Sequence, residues 1–359
     1  MRPETVSVCI VAYNEEKFLP NLFSDLNAQI YPHDKIEIIL VDSMSTDNTR
    51  KVMRDFADAN TGRFIDIKVV ENKRKVQAAG WNVAILNSTC DVITRIDAHT
   101  SVPPEFVQLN MDNIREGEYV SGGVRPCVTE NQTLWGAALL QTENSLFGSS
   151  ISKARSGTKK EYVKTMFHAS YRREVFSEVG GFNENLLRTE DNEMHYRIRQ
   201  AGYKFCFDPQ IISYQYARNS LKKMIKQKYG NGYWIGLTLG VSPHCISVYH
   251  FIPFLFIMGI ILTTVMAMLG VIWPLIAMWG LYLLFGVVSV FHSIKEHGFN
   301  VFYLMMPFHF FILHISYGVG TLFGLIQMPF RRNALKKCDT IQIVKDYVTK
   351  SLKKEETEQ

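Results

Sequence analysis

The 359-residue sequence predicts an α/β domain on a mostly parallel sheet, followed by a hydrophobic α-helical membrane region. Three observations carry that expectation. Short β-branched runs alternate with amphipathic stretches of helical length through residue 245 or so, the pattern of βαβ units in a doubly wound sheet. Residues 251–328 are dominated by Phe, Ile, Leu, Val, Met and Gly. Two of the predicted strands end on an aspartate, at the sheet edge where open α/β folds bind ligands.

In chain order, Val6–Tyr13 reads as a buried strand, and Asn14-Glu15-Glu16 opens a helix with Asn14 as its N-cap. Leu19, Leu22, Phe23 and Leu26 keep helical spacing. Ile36–Val41 is a second strand ending at Asp42, and Ser45–Thr49 caps a helix through Val52 and Phe56. Ile65–Val70 is a third strand, Gln77–Leu86 a helix and Asp91–Asp97 a fourth strand. A helix to Ile114, a strand at Tyr119–Val124 and a helix at Leu134–Leu146 follow. Gly148–Gly157 has turn-forming composition and is expected to be a mobile loop, a candidate lid. Thr165–Ser170 reads as a strand, Arg173–Val179 as a helix stopped by Gly180-Gly181, and Glu190–Ala201 as a helix stopped by Gly202.

Leu221–Tyr229 sets Leu221, Met224, Ile225 and Tyr229 on one face and lysines on the other. This fits an interfacial helix or a helix packed on the soluble domain with a solvated lysine face. Phe251–Leu269 and Val271–Val290 carry no charge, and each is long enough for a hydrocarbon core of ~30 Å. Gly270 and Pro274 mark the hinge between them. Val301–Met328 is a third apolar segment, with Pro307, His309 and His314 inside it; the histidines serve either function or helix-to-helix hydrogen bonding. Three crossings would put Arg331-Arg332 and Lys336-Lys337 on the outer face, against the positive-inside tendency. A re-entrant or interfacial third segment, or a shallow hairpin of the first two, would avoid that.

Hydrophobic residues make up 47% and the net charge is +5. The basic excess lies at Arg218–Lys228 and from Arg331 onward, flanking the apolar segments. That distribution fits a membrane surface and not a nucleic-acid groove. Six scattered cysteines form no Cys-x-x-Cys pair, as in a reduced, cytosolic domain. The run Val6–Val11 is too short for a signal segment and starts the fold.

Four motifs carry chemistry. Val11-Ala12-Tyr13-Asn14-Glu15 offers a ring, an amide and a helix start against which a base can lie. Asp42, in Asp42-Ser43-Met44-Ser45-Thr46-Asp47, can accept from a uracil N–H, and a turn or cap role explains it equally well. Asp97 and His99, two apart, face one side and suit a divalent cation carrying a diphosphate; a strand ending in an Asx-type turn is the competing account. Glu190-Asp191 sets adjacent carboxylates at a helix start, where compensation of the helix dipole also places acids. Lys75 stands near a possible phosphate, as do Lys73 and Arg74, in what is otherwise a solvated turn.

Together Val11–Glu16, Val41–Asp47, Arg95–His99, Val179–Glu184 and Glu190-Asp191 resemble the inverting family-2 glycosyltransferases of GT-A fold, in their succinoglycan-type, membrane-attached branch. The resemblance covers residues 5–216 and implies roles. Ala12, Glu15 and Asp42 would contact the nucleotide, Asp97 would bind a metal, and Asp191 would be the catalytic base; Tyr13, Lys75 and Asp97 are further candidates for the nucleotide-sugar side, and Glu190 stands beside the base as a catalytic candidate. His99 replaces the family's usual second metal-site carboxylate, leaving Mn or Mg open as the divalent cation. His168, Arg172, Gln227 and Trp234 are assigned to the acceptor and membrane side. Processive synthases carry Gln-x-x-Arg-Trp; here Gln227–Trp234 has other spacing and no Arg, so single addition is expected.

The implied protein takes a hexose from a nucleotide sugar, expected to be UDP-linked, to a polyprenyl-diphosphate-linked saccharide. It would work at membrane lipid, on the cytoplasmic face of the inner or plasma membrane. A polyprenyl-phosphate transferase and a catalytically silent scaffold are the alternatives. The expected divisions are 1–218 catalytic, 219–248 interfacial, 249–330 membrane helices and 331–359 a basic tail.

Overall fold

The computed structural model describes residues 3–128, 133–148, 157–216 and 220–358. The Gly148–Gly157 loop expected as a lid falls almost wholly outside the described residues. The first half runs β1 (Val6–Ala12), α1 (Leu19–Asn27), β2 (Ile36–Asp42), α2 (Thr49–Ala59), β3 (Asp66–Glu71), α3 (Gln77–Asn87), β4 (Val92–Asp97) and β5 (Thr100–Ser101). Next come α4 (Phe106–Arg115), β6 (Val120–Val124), β7 (Cys127–Val128), α5 (Leu134–Asn144), β8 (Glu161–Val163) and β9 (Ala169–Arg172). Then α6 (Arg173–Val179), α7 (Glu190–Gln200), β10 (Phe205–Ile212) and β11 (Tyr214–Tyr216) follow. The helices α8 (Leu221–Thr238), α9 (Ile252–Met268), α10 (Trp273–His297), α11 (Met306–Lys336) and α12 (Thr340–Glu358) complete the chain.

Two compact units result. Residues 1–126, 153–215 and 336–359 form the first, and 127–152 with 216–335 the second.

The first unit is the expected α/β domain, around an eight-stranded mixed sheet of order β3-β2-β1-β4-β9-β6-β10-β8. β3, β2, β1 and β4 are mutually parallel. β9 runs antiparallel to both β4 and β6. Alternation along the buried strands serves both faces. Val8 and Ile10 pack toward Leu22, Phe23, Met53 and Met111 of α1, α2 and α4. Cys9 and Ile93 pack toward Trp81, Phe176, Met194, Val344 and Val348 of α3, α6, α7 and α12. The residues expected to form a basic tail thus include a core helix: Val344 and Val348 are fully buried. Asn14 does not cap α1. It sits at φ +57°, and its Oδ1 instead accepts from Thr46 N at 2.8 Å, tying the β1 loop to the β2 loop.

The second unit holds α5 and α8–α11, with β7. Val248–Met268, Trp273–His297 and a stretch within Val301–Glu355 are long and apolar enough to cross a membrane. α8 and α11 meet backbone to backbone. A Cβ on Gly232 would fall 2.0 Å from Tyr317 O, and one on Gly324 would fall 2.1 Å from Tyr233 O. Small residues spaced by four allow that approach, as between membrane helices. His314 bonds Tyr282 Oη at 2.9 Å and Phe147 O at 2.8 Å. Lys228 pairs with Glu143 at 3.4 Å.

Candidate active site

The parallel strands bring their C-terminal ends to one edge, and the loops there are unusual. Asn14, Met44 and Lys75, which follow β1, β2 and β3, all adopt positive φ between +57° and +61°. Non-glycine residues in that region cost energy and gather at functional sites. Ala12 and Asp42 are register partners at this edge. Asp42 is buried, and its Oδ1 accepts from Ser45 N at 3.0 Å, turning the loop away from the strand. Tyr13 is half exposed beside it, and Lys75 is exposed.

Asp97 ends β4 level with Val11. Its Oδ2 lies 3.2 Å from His168 Nε2 and 3.9 Å from the Arg125 guanidinium. His168 is fully buried, and its Nδ1 is held 2.8 Å from Ser213 Oγ. Arg125 lies over the Phe167 ring at 3.5 Å. Burial alone would raise the Asp97 pKa, but the His168 bond and the charges of His168, His99 and Arg95 hold it far below the usual carboxylate range. Burial lowers the His168 pKa despite Asp97. The edge therefore presents an ionised carboxylate against a buried imidazole.

Two residues earlier on β4, Arg95 reaches Asp191 at the start of α7. Nη1 bonds Oδ1 at 2.6 Å and Nη2 bonds Oδ2 at 3.2 Å. Arg95 is 5% exposed, stacked on Trp81 at 4.4 Å and Phe182 at 5.2 Å. Burial works against ionisation of Asp191, but the Arg95 charge and its hydrogen bonds win and lower the pKa. Its neighbour Glu190 is buried and pushed the other way, by burial and by the Asp191 charge. Glu190 Oε2 has no hydrogen-bond partner among the described residues. Adjacent carboxylates driven apart in this way can divide the protonated and ionised roles.

Residues 7–180 match the family model described as glycosyl transferase family 2. Residues 7–180 of this chain are a family-2 glycosyltransferase domain. The transferase is 23% identical over 329 residues to the dolichyl N-acetyl-alpha-D-glucosaminyl phosphate 3-beta-D-2,3-diacetamido-2,3-dideoxy-beta-D-glucuronosyltransferase of Methanococcus voltae, covering 90% of this chain and 97% of that protein. It is 27% identical over 231 residues to the succinoglycan biosynthesis protein ExoA of Rhizobium meliloti, covering 63% and 67%. Among solved structures, the mannosyltransferase PcManGT of Pyrobaculum calidifontis, in complex with GDP-Man and Mn2+, matches at TM-score 0.50 and 17% identity. That match covers 94% of this chain and 89% of the other, and is a likeness of fold.

For a divalent ion, the glycosyltransferase offers Asp97 as an ionised oxygen donor. His99 has Nδ1 3.3 Å from Glu15 Oε1 and Nε2 3.2 Å from Gln215 Nε2. No group of three or more His, Cys, Asp or Glu is gathered as a metal cage among the described residues. This sparse set fits an ion that takes much of its shell from phosphates and water, as Mg2+ does at nucleotide sites.

Sequence reasoning put Arg172 on the acceptor side, and the structure corrects that. Because β9 runs antiparallel to β4, Arg172 pairs with Val92 at the far edge, while His168 reaches the Asp97 edge. Arg172 instead donates to Ile114 O at 2.7 Å and Glu118 O at 2.9 Å, closing the end of α4. Gln227 and Trp234 belong to α8 in the second unit, where Trp234 is buried with Arg331 over its ring at 5.9 Å. Arg95 and Arg125 were missed. A charge inside the β-branched run of β4 was the available signal, since buried charges need partners.

Proposed function

We propose that this glycosyltransferase moves one hexose from a UDP-linked sugar, with inversion, to a polyprenyl-diphosphate-linked saccharide. The observation that carries the reading is the pairing on one sheet edge of ionised Asp97 with ionised Asp191, joined by Arg95. Asp191 accepts the proton of the acceptor hydroxyl while that oxygen bonds to the anomeric carbon. The bond from that carbon to the diphosphate oxygen breaks, and its electron pair leaves with the nucleotide. Ala12, Tyr13, Glu15 and Asp42 border the nucleotide, with Lys75 toward the phosphates. Asp97 and His99 would hold the divalent cation, which supplies electrostatic stabilisation to the leaving diphosphate. His168 fixes the Asp97 carboxylate from below. Glu190 remains protonated.

The lipid-linked acceptor is supported by the apolar helices of the second unit and by the dolichyl-linked sugar phosphate in the name of the Methanococcus relative. The catalytic unit is assigned to the cytoplasmic side of the membrane, where nucleotide sugars are made.

Membranes carrying the chain are supplied with labelled UDP-hexoses, Mn2+ or Mg2+, and an extract of polyprenyl-diphosphate saccharides, and lipid-extractable label is counted. Metal-dependent label that falls at least about 1,000-fold in Asp191→Asn is expected. Equal label in both proteins would point to a lipid phosphate acceptor, which has no hydroxyl proton to remove. No label with any donor would overturn the reading.

A further inference from the structure

We propose that Arg95 is a positioning residue for transfer, aiming the Asp191 carboxylate at the acceptor hydroxyl and tying it to the strand that carries Asp97. The inference rests on Asp191 being the base. The geometry is specific. Arg95 and Asp97 lie two apart on β4 and share a face, so one rigid strand holds the donor-side carboxylate and the partner of the acceptor-side carboxylate. The guanidinium grips both Asp191 oxygens at 2.6 and 3.2 Å. Its own plane is set by Trp81 and Phe182. Phe182 is in turn held by Asn82, whose amide receives Phe182 N at 2.7 Å and donates to Phe182 O at 2.9 Å.

A bidentate pair fixes the carboxylate plane as well as its distance. Each carboxylate oxygen has two acceptor sites and Arg95 uses one on each. One remains on each oxygen for the acceptor O–H. A lysine would hold a point charge near Asp191 without fixing that plane. The charged and titratable groups around Asp191 are Arg95 and Asp97 of β4, with Glu190 and His195 of α7. Tyr171 of β9 bonds His195 Nε2 at 3.1 Å. Arg95 is the cation among them: burial keeps His195 neutral, with its pKa lowered to about 4.

The test is the pH profile of lipid-linked label with the donor that Asp191 requires, for wild type, Arg95→Gln and Arg95→Lys. Removing the cation makes Asp191 harder to ionise, so the acid limb of kcat moves to higher pH in Arg95→Gln. Its kcat at neutral pH falls about 100-fold, the scale of an ångström-level misplacement, while the donor KM stays near the wild-type value. Arg95→Lys restores the acid limb toward wild type but not the full kcat. A wild-type limb and kcat in Arg95→Gln overturn the inference. If Arg95→Gln does not accumulate, Arg95→Lys decides alone, and a wild-type kcat there overturns it. Full turnover by Asp191→Asn would instead sink the base assignment itself.

Discussion

Glu37 shows how this protein handles a buried charge away from its site. It is 1% exposed on β2 and takes Lys68 Nζ at 2.7 Å, Thr89 N at 2.9 Å and the Ser7 hydroxyl. Burial pushes its pKa up, but these bonds outweigh it and leave the value lowered. Its stabilisation is therefore present above the unfolded carboxylate pKa of about 4.3 and is lost as pH falls through the lower folded value. Glu37→Gln should lower Tm at pH 7 and flatten the fall of Tm toward acid, as followed by thermal melts across pH. The cost should be about 3 kcal/mol, the scale for breaking a buried pair. At the site edge, Asp97→Asn should weaken Mn2+ binding, read directly by electron paramagnetic resonance. Unchanged Mn2+ affinity would remove Asp97 from the metal's ligands. Asp97, Asp191, Asp42 and Glu15 stood out as candidates because each sits in a short motif at a strand or helix end. Arg95 was not given a role because its partner lies 96 residues on, and no local period reports such a pairing.

Among elements, α12 was the least readable. Its Lys-rich end suggested a tail, yet Ile341, Val344, Val348 and Leu352 recur at helical spacing. The stripe packs against α3 and α6. Arg173 reaches Glu355 at 2.8 Å and Ser351 at 2.9 Å. At its start Ile341 O accepts from Gly181 N at 3.1 Å. Gly180 needs φ +77°, and a Cβ there would fall 2.2 Å from Ile341 O. Gly180 and Gly181 therefore do more than stop α6: they let α12 seat on the loop that leads to α7. Gly180→Val should cost about 3 kcal/mol through strain and lower both Tm and transfer. Val344→Ala, removing about two methyl groups from a filled core, should cost about 2 kcal/mol. In the second unit the α8–α11 seam was half visible. The glycines of α11 suggested close packing, while α8 read as interfacial because its lysines precede Gly232 and Gly236. Gly236→Leu places side-chain atoms where Leu325 N and Thr321 O lie 2.7 Å from a Cβ. It should lower Tm in detergent more than Gly280→Leu, where a Cβ meets nothing within 4 Å.

For the whole molecule, the alternation of strands and helices was enough to specify the doubly wound core, because the buried strands send apolar side chains to both faces. The antiparallel β9 was less accessible, since a single strand of four residues carries no sign of its direction. That direction decided which of His168 and Arg172 reached the site. The division into units also follows contacts that local patterns do not encode: α5 lies within the sequence of the catalytic region but belongs to the second unit, and α12 makes the reverse exchange. The return of α12 has a topological consequence. Val344 and Val348 are core residues of the same unit as β1 and β4, so residues 3–126 and 340–358 occupy the same side of any bilayer that the apolar helices enter. The number of complete crossings between them must then be even. If α9 and α10 traverse as a hairpin around Gly270, α11 begins and ends on the side from which that hairpin starts. Cysteine labelling in sealed vesicles should find Cys substitutions at Ser177 and Lys350 reactive from the same face. A label reaching them from opposite faces would mean that α12 does not pack on α6 in the membrane. With even parity, Lys336-Lys337 fall on the same side of the bilayer as residues 3–126.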